Sequence, residues 1–169
     1  VKLYDHFNVE RVIRLYTSLI KGYGRTNRPT MITQCMREMV TTYGLSYDSV
    51  LMNCAMDAYI RCGKPLAARQ IFKTMKSRAD HQPTISPNTR SYNILLKSCY
   101  EDEDMDYALD LIEEMESCDC PSNHITINTL INICIGKGLY EQAEDLIYSD
   151  SRVTVEGYTA LIHEYIKQS

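Results

Sequence analysis

The stretch at residues 90–115, RSYNILLKSCYEDEDMDYALDLIEEM, decides the fold of the chain. It contains two sets of apolar residues, each at the i, i+3, i+4, i+7 spacing that is typical of one face of an amphipathic α-helix. The first set is Tyr92, Leu95, Leu96 and Cys99, and the second is Ala108, Leu111, Ile112 and Met115. Residues 101–106, which separate the sets, are too acidic to continue either face. The stretch therefore predicts two short antiparallel helices joined by a tight turn.

The same helical hairpin recurs along the chain. The first-helix pattern begins at Tyr16, Met52, Tyr92, Ile127 and Tyr158, and the second-helix pattern begins at Ile32, Ala68, Ala108 and Ala143. The leading residues of the first helices are 36, 40, 35 and 31 positions apart. A single hairpin of this size cannot bury both of its apolar faces, so successive hairpins are expected to stack. The sequence predicts an all-α fold, an α-solenoid of stacked antiparallel helical hairpins.

These patterns divide the chain into about four and a half repeats, preceded by residues 1–12 as the tail of an earlier one. We expect repeat 1 at 13–48, repeat 2 with a linker insertion at 49–88, repeat 3 at 89–123, a short repeat 4 at 124–154 and the first helix of repeat 5 at 155–169. Pro29 and Pro65 fall just inside the second helices of their repeats, where a missing N–H costs nothing. The chain is interpreted as a piece of a longer protein.

Composition excludes several classes of protein. The net charge of −4 argues mildly against a general nucleic-acid binder, although basic residues outnumber acidic ones on the predicted first helices. No apolar stretch approaches the roughly 18 residues of a membrane-spanning helix. The seven cysteines are an odd number without C-x-x-C spacing, which indicates reduced thiols. Cys118, Cys120 and His124 share a loop but lack a fourth ligand, so we expect no metal.

Nothing in the sequence is typical of an enzyme. The four histidines are scattered. Neither the carboxylate motif of a metallonuclease domain nor the H-x-E and C-x-x-C motif of a zinc deaminase is present. We expect no catalytic residue, no cofactor and no small-molecule substrate. The acidic run at 101–106 has two interpretations, an interaction patch or a set of carboxylates that caps the following helix. The capping interpretation is the simpler one.

The repeated phrases resemble pentatricopeptide repeats. The phrases are YTSLIKGYGRTNRPTMITQCMREM at 16–39, SYNILLKSCYEDEDMDYALDLIEEM at 91–115, INTLINICIGKGLYEQAEDLI at 127–147 and YTALIHEY at 158–165. Each phrase contains a leading residue that is followed by Asn or Thr, by one further residue, and then by a Leu-Ile or Leu-Leu pair. The tetratricopeptide repeat is the alternative, but it has a steady 34-residue period and usually a Trp, which this chain lacks. The resemblance implies a right-handed superhelix with the first helices on its concave side.

The residue directly after each leading residue is always Asn or Thr. These residues are Thr17, Asn53, Asn93, Asn128 and Thr159. Because this position lies off the core face, we expect the five side chains to project together along one surface of the array. A row with one such residue in each repeat is typical of proteins in which each helical repeat binds one RNA base. The alternative is that Asn and Thr are here only as common helix N-terminal residues.

The resemblance also implies the partners of this row. Each base would be selected by that residue together with the last residue of its repeat: Thr17 with Asp48, Asn53 with Asn88, Asn93 with Asn123, and Asn128 with Thr154. Thr with Asp would favour guanine, and Asn with Asn a pyrimidine. The base-stacking residues would be Arg14, Val50, Arg90 and Ile125, whereas Glu156 departs from the pattern. The phosphate-facing residues would be Arg25, Arg61 and Lys167, whereas Glu101 and Gly136 depart from it.

Two functions follow from these observations. The first is a sequence-preferring single-stranded RNA-binding module of an RNA processing, stability or translation factor. The second is a structural scaffold within an organellar ribosome or polymerase, which would hold protein partners or RNA by shape. The Asn and Thr pairs favour the first, whereas the acidic composition, Glu101 and Glu156 favour the second. The resemblance implies a mitochondrion or chloroplast as the location.

Overall fold

The computed structural model describes residues 2–102, 104–118 and 120–168, and these ranges contain helices and turns but no β-strand. The α-helices are α1 (Lys2–Arg25), α2 (Pro29–Tyr43), α3 (Ser49–Arg61), α4 (Pro65–Arg78), α5 (Thr89–Asp102), α6 (Met105–Ser117), α7 (His124–Gly136), α8 (Tyr140–Ser149) and α9 (Val155–Gln168). A short 3₁₀ helix, Pro83–Ile85, lies in the predicted insertion. The predicted all-α fold of antiparallel hairpins is therefore confirmed.

The chain forms two compact units, Val1–Pro87 and Asn88–Ser169. In the N-terminal unit, α1 packs against α2 and α3, and α3 packs against α4. Its core residues include Ile20, Ile32, Met39, Met56, Phe72 and Met75. A Cβ atom on Gly24 would lie 2.8 Å from the Cα atom of Ala58. Glycine is therefore required for α1 and α3 to approach this closely.

The C-terminal unit repeats this arrangement. Helix α5 packs against α6 and α7, and α7 in turn packs against α8 and α9. Its buried apolar residues include Tyr92, Leu95, Leu111, Met115, Ile127, Ile131, Ala143 and Ile147. Most of them belong to the i, i+3, i+4, i+7 sets of the sequence. The first helices α5, α7 and α9 therefore lie side by side. The start of α7 lies beside α5, and the start of α9 lies beside α7.

The turns inside the hairpins use residues that tolerate a left-handed backbone. Asn27, Gly63 and Gly138 each lie two positions before a second helix and have φ angles of 52°, 63° and 72°. Glycine and asparagine are the residues that adopt this conformation at least cost. Pro29 and Pro65 begin α2 and α4, as the sequence predicts.

The acidic run of the third repeat contributes a helix cap. The Asp104 side chain accepts a hydrogen bond of 3.2 Å from the backbone N–H of Tyr107 and caps α6. This contact supports the capping interpretation of the run. Because of that cap, α6 begins at Met105. The residues at 101 and 102, which the acidic run placed between the two helices, instead end α5.

Helix α1 differs from the prediction. Residues 2–12 were expected as the tail of a separate repeat, but they continue into 13–25 as a single helix of 24 residues. Residues 2–12 contain neither proline nor glycine, so nothing in the local sequence ends the helix there.

A hydrogen bond across the hairpin recurs in repeats 1 and 3. The hydroxyl of Tyr16 donates to the Glu38 carboxylate over 3.2 Å, and that of Tyr92 donates to the Glu114 carboxylate over 2.9 Å. Burial, followed by the bond to Glu38, raises the pKa of Tyr16 to about 12. Burial and then Glu114 likewise raise the pKa of Tyr92. The leading tyrosine therefore joins each first helix to its own second helix, which the apolar pattern alone did not predict.

Candidate nucleic-acid interface

The predicted third base site consists of Asn93 on α5 and Asn123, which precedes α7. The Asn93 Nδ2 donates to the Asn123 Oδ1 over 3.2 Å, although the two residues are 30 positions apart. The packing of α7 against α5 brings the start of α7 to the Asn93 side chain. The structure thus brings together the pair that the repeat register identified.

Asn123 is held rigidly by the start of helix α7. Its Oδ1 also accepts the backbone N–H groups of Ile125 and Thr126, over 3.0 and 3.2 Å. In return, the Thr126 hydroxyl accepts the backbone N–H of Asn123, which completes a capping box. The same hydroxyl donates to the Oδ1 of Asn93 over 2.7 Å. Thr126 is not among the residues that the repeat pattern predicts for the site, although it lies directly before the leading residue Ile127.

At the predicted fourth base site, Asn128 on α7 lies beside Thr154 and Glu156 near the start of α9. The Asn128 Nδ2 donates to the Thr154 Oγ1 over 2.6 Å and to a Glu156 carboxylate oxygen over 3.3 Å. Its Oδ1 accepts the backbone N–H of Thr154 over 3.3 Å. Both N–H groups of the Asn128 amide are therefore engaged within the protein.

The remaining reading residues are placed differently. The Thr17 hydroxyl donates to the backbone carbonyl of Ile13 over 2.7 Å, and Asp48 caps α3 by accepting from the N–H of Leu51. Asn53 is only 2% exposed and lies in the N-terminal unit, whereas Asn88 is exposed and belongs to the C-terminal unit. Thr159 is exposed, and its hydroxyl bonds the backbone carbonyl of Val155.

The expectation that the row projects together from the surface is wrong for its three asparagines. Asn53, Asn93 and Asn128 are 2%, 9% and 4% exposed. For Asn93 and Asn128, the residues that cover the side chain come from the start of the next first helix. A position that is off the core of one hairpin therefore becomes buried when the next hairpin stacks on it.

The predicted base-stacking residues lie at the surface. Val50 is 66% exposed and Ile125 is 49% exposed, which leaves two apolar side chains facing solvent. Arg14 and Arg90 are also exposed, and Arg14 pairs with Glu10 over 2.6 Å. Glu156 is the exposed acidic residue at the corresponding position of repeat 5.

The predicted phosphate-facing residues are exposed cations. Arg61 pairs with Asp57 over 2.9 Å, and Lys167 pairs with Glu164 over 3.4 Å. Exposed ion pairs of this kind contribute only about 0–1 kcal/mol, so a phosphate could replace the carboxylate at little cost. Arg25 is likewise exposed at the end of α1.

No group of three or more potential metal ligands occurs among the described residues. Cys118 is exposed and Cys120 is half-buried, whereas Cys35, Cys99 and Cys134 are buried in the cores as small apolar side chains. In the same part of the chain, no helix is both long and apolar enough to cross a membrane.

The fold and the repeated asparagine positions define a helical-hairpin repeat protein. Three models of one family match the chain: a PPR repeat family at residues 87–136, a pentatricopeptide repeat domain at 34–102, and a PPR repeat at 14–41 and 125–149. The chain belongs to the pentatricopeptide repeat family. The resemblance seen in the sequence is thereby confirmed.

Similar proteins are known from Arabidopsis thaliana. A chloroplastic pentatricopeptide repeat-containing protein is 29% identical over 120 residues, which is 71% of this chain and 23% of that protein. The small ribosomal subunit protein mL103 is 26% identical over 133 residues, covering 78% of this chain and 31% of that protein. A mitochondrial family member is 20% identical over 153 residues, covering 89% of this chain and 36% of that protein. The chain thus spans well under half the length of these relatives.

A solved structure shares the fold. The pentatricopeptide repeat protein PPR10, in complex with an 18-nucleotide psaJ RNA element, aligns with a TM-score of 0.78 at 19% identity. The alignment covers 90% of this chain and 22% of PPR10. PPR10 from maize, in a second structure, aligns with a TM-score of 0.68 at 17% identity.

Proposed function

We propose that the chain is a single-stranded RNA-binding module with a preference for sequence. It would belong to a mitochondrial or chloroplast protein that acts in RNA processing, stability or translation. The single observation that carries this proposal is the third base site. There, two amide side chains from neighbouring repeats form a hydrogen-bonded pair held by the start of α7.

The third base site has the parts that base recognition requires. The paired amides of Asn93 and Asn123 supply hydrogen-bonding groups, and such groups distinguish the edges of unstacked bases. Ile125 follows Asn123 closely and exposes an apolar surface on which a base can stack. PPR10, which shares this fold, is bound to RNA in its solved structure, and this supports the same ligand class for the present chain.

The order of the repeats gives an expected sequence preference. If the N-terminal repeats lie toward the 5′ end of the RNA, repeats 1 to 3 should prefer guanine, pyrimidine and pyrimidine. This expectation combines Thr17 with Asp48, Asn53 with Asn88, and Asn93 with Asn123. Repeat 4 contributes no comparable preference, because the amide of Asn128 is already bound by Thr154 and Glu156.

A second candidate function is a scaffold within an organellar ribosome. The observation that favours it is the similarity to the small ribosomal subunit protein mL103 along 78% of this chain. Glu156, an acidic residue at a base-stacking position, also fits a role that does not read RNA. In this case the protein would bind RNA by shape or bind protein partners.

Binding of short RNAs to the purified chain distinguishes the two functions. Stacking contributes about 1–3 kcal/mol per base, and association costs roughly 4–15 kcal/mol. We therefore expect only micromolar affinity for a labelled pool of single-stranded RNAs, weakened by added salt. Duplex RNA of the same length should bind less. Equal binding of single-stranded and duplex RNA, or a co-purifying protein without RNA binding, would favour the scaffold.

A further inference from the structure

We propose that Thr126 is a specificity-positioning residue of the third base site. It belongs to the repeat that follows, and it is neither the reading residue nor the last residue of either repeat. Its role would be to fix which end of the Asn93 amide faces the RNA. This inference rests on the proposed function and goes beyond it by adding a third residue to the selection of one base.

The Thr126 side chain has a defined set of partners. It is completely buried, and its hydroxyl lies 2.7 Å from the Asn93 Oδ1. The same oxygen accepts the backbone N–H of Asn123 over 3.1 Å. The hydroxyl has a single proton, and its alternative acceptor, the Asn123 Oδ1, lies farther away at 3.3 Å. The proton is therefore directed to Asn93.

This bond fixes the orientation of the Asn93 amide. An amide group has a donor end and an acceptor end that exchange places by a half-turn about its terminal torsion. The Oδ1 of Asn93 keeps a second lone pair, but it is turned toward the fully buried Thr126. One Nδ2–H is held by the Asn123 Oδ1, so the second N–H is the group of Asn93 that is left to face a ligand. The Nδ2 of Asn123 makes no hydrogen bond among the described residues. The groups left for a ligand, the second N–H of Asn93 and the Nδ2 of Asn123, are therefore both donors.

A site that presents only donors selects for acceptor atoms on the base. Cytosine carries two neighbouring acceptors, N3 and O2, and uracil carries its two carbonyl oxygens. Adenine also has acceptors, but N1 and N7 each lie beside its amino group, which is a donor. One of the two donors of the site therefore meets that amino group, and a hydrogen bond is lost. Thr126 thus excludes adenine indirectly, because it prevents the Asn93 oxygen from turning outward.

The other repeats place different residues at this position. Ser91, the corresponding residue of repeat 3, bonds through its hydroxyl to the last residue of repeat 2, Asn88. Gly157, the corresponding residue of repeat 5, has no side chain, and a Cβ atom there would lie 3.1 Å from the Asn128 Oδ1. In that repeat Thr154 and Glu156 bond the asparagine instead. Within the described residues of the C-terminal unit, a hydroxyl that donates to the side-chain oxygen of a reading asparagine is found at Thr126 alone, because the Thr154 hydroxyl accepts from Asn128.

The test compares Thr126→Val, which keeps the shape but removes the hydroxyl, with Thr126→Ser, which keeps the hydroxyl. Ser91→Ala is the matched control, because it removes the corresponding hydroxyl cap of α5. Each protein is titrated with short RNAs that differ only at the nucleotide read by repeat 3. We expect Thr126→Val to reduce the preference for pyrimidine over adenine by about fivefold or more. Thr126→Ser and Ser91→Ala should keep the wild-type ranking there.

The outcomes separate the inference from the function. If Thr126→Val ranks the bases as the wild type does, the inference is overturned while the proposed function stands. If the wild type itself does not rank them, the proposed function fails and the inference fails with it. If Thr126→Val does not fold, Thr126→Ala provides the same comparison, because it also removes the hydroxyl. A wild-type ranking in a folded Thr126→Ala protein would likewise overturn the inference.

Discussion

The proposed third and fourth base sites lie in the same unit and carry asparagine at the same position, yet they leave different groups available to a ligand. In the third site, Asn93 and Asn123 bond each other and leave donors available. In the fourth site, Thr154 and Glu156 engage both N–H groups of Asn128. The identity of the reading residue is therefore insufficient to predict whether it reads a base. The start of the next first helix decides whether its amide is available.

The largest difference between the sites is expected for Asn123→Ala. This change removes the acceptor for two backbone N–H groups of α7 and the partner of the buried Asn93 amide. We expect the free energy of unfolding to fall by about 1–3 kcal/mol, together with loss of discrimination at one nucleotide. Urea denaturation measures the first effect and RNA competition the second.

Thr154→Ala is the matched change in the fourth site. Asn128 would keep its bond to Glu156 and the backbone N–H of Thr154, so the loss should not exceed about 1 kcal/mol. A loss of stability for Asn123→Ala no larger than that for Thr154→Ala would show that the two sites are equivalent after all.

A smaller effect is expected for Ile125→Ala. Ile125 is about half-exposed, so its truncation should change stability by less than about 0.5 kcal/mol. If its side chain supports a stacked base, RNA affinity should fall by about 1 kcal/mol, or roughly fivefold. Val155→Ala is the control, because Val155 is an exposed apolar residue at the start of α9 outside the predicted stacking set. Equal losses of affinity in the two variants would contradict the assignment of Ile125.

The smallest effect is expected from opening the fourth site. Glu156→Ala removes both a negative charge and a partner of Asn128, so RNA affinity should rise about two- to threefold and a base preference should appear at the fourth nucleotide. Glu156→Gln removes only the charge and keeps an acceptor for Asn128. It should raise affinity without creating the preference. Filter binding at low salt measures the RNA affinity and the base preference of each variant. Unchanged affinity in both variants would contradict the prediction.

Much of the fold could be predicted because its signals are local. The apolar spacing that leads to Tyr92 and Leu95 depends only on helical periodicity, and Pro29 and Pro65 mark helix starts by their own covalent geometry. The two residues that the resemblance paired, Asn93 and Asn123, also lie in contact, because the next hairpin stacks one repeat period further along the chain.

The remaining features depend on side chains that meet only after stacking. The burial of Asn93 and Asn128 is caused by the following helix, so neither hairpin contains the signal by itself. The hydroxyl of Thr126 and the carboxylate of Glu156 act on a neighbour about 30 positions away. For the same reason, Asn93→Thr is not a neutral surface change. Loss of a buried, bonded amide should cost about 1–3 kcal/mol.

The most direct test of the difference between the sites is the base ranking of Asn93→Thr beside that of Asn128→Thr. Both are measured by competition binding with RNAs that vary one nucleotide at a time, alongside melting curves. Asn93→Thr, with Asn123 retained, should move the preference at a single nucleotide from pyrimidine towards adenine, a change of about 1–3 kcal/mol. Asn128→Thr should leave every ranking unchanged. If Asn93→Thr ranks the four bases as the wild type does while folding and RNA binding persist, Asn93 does not read a base, and the scaffold function is the better one.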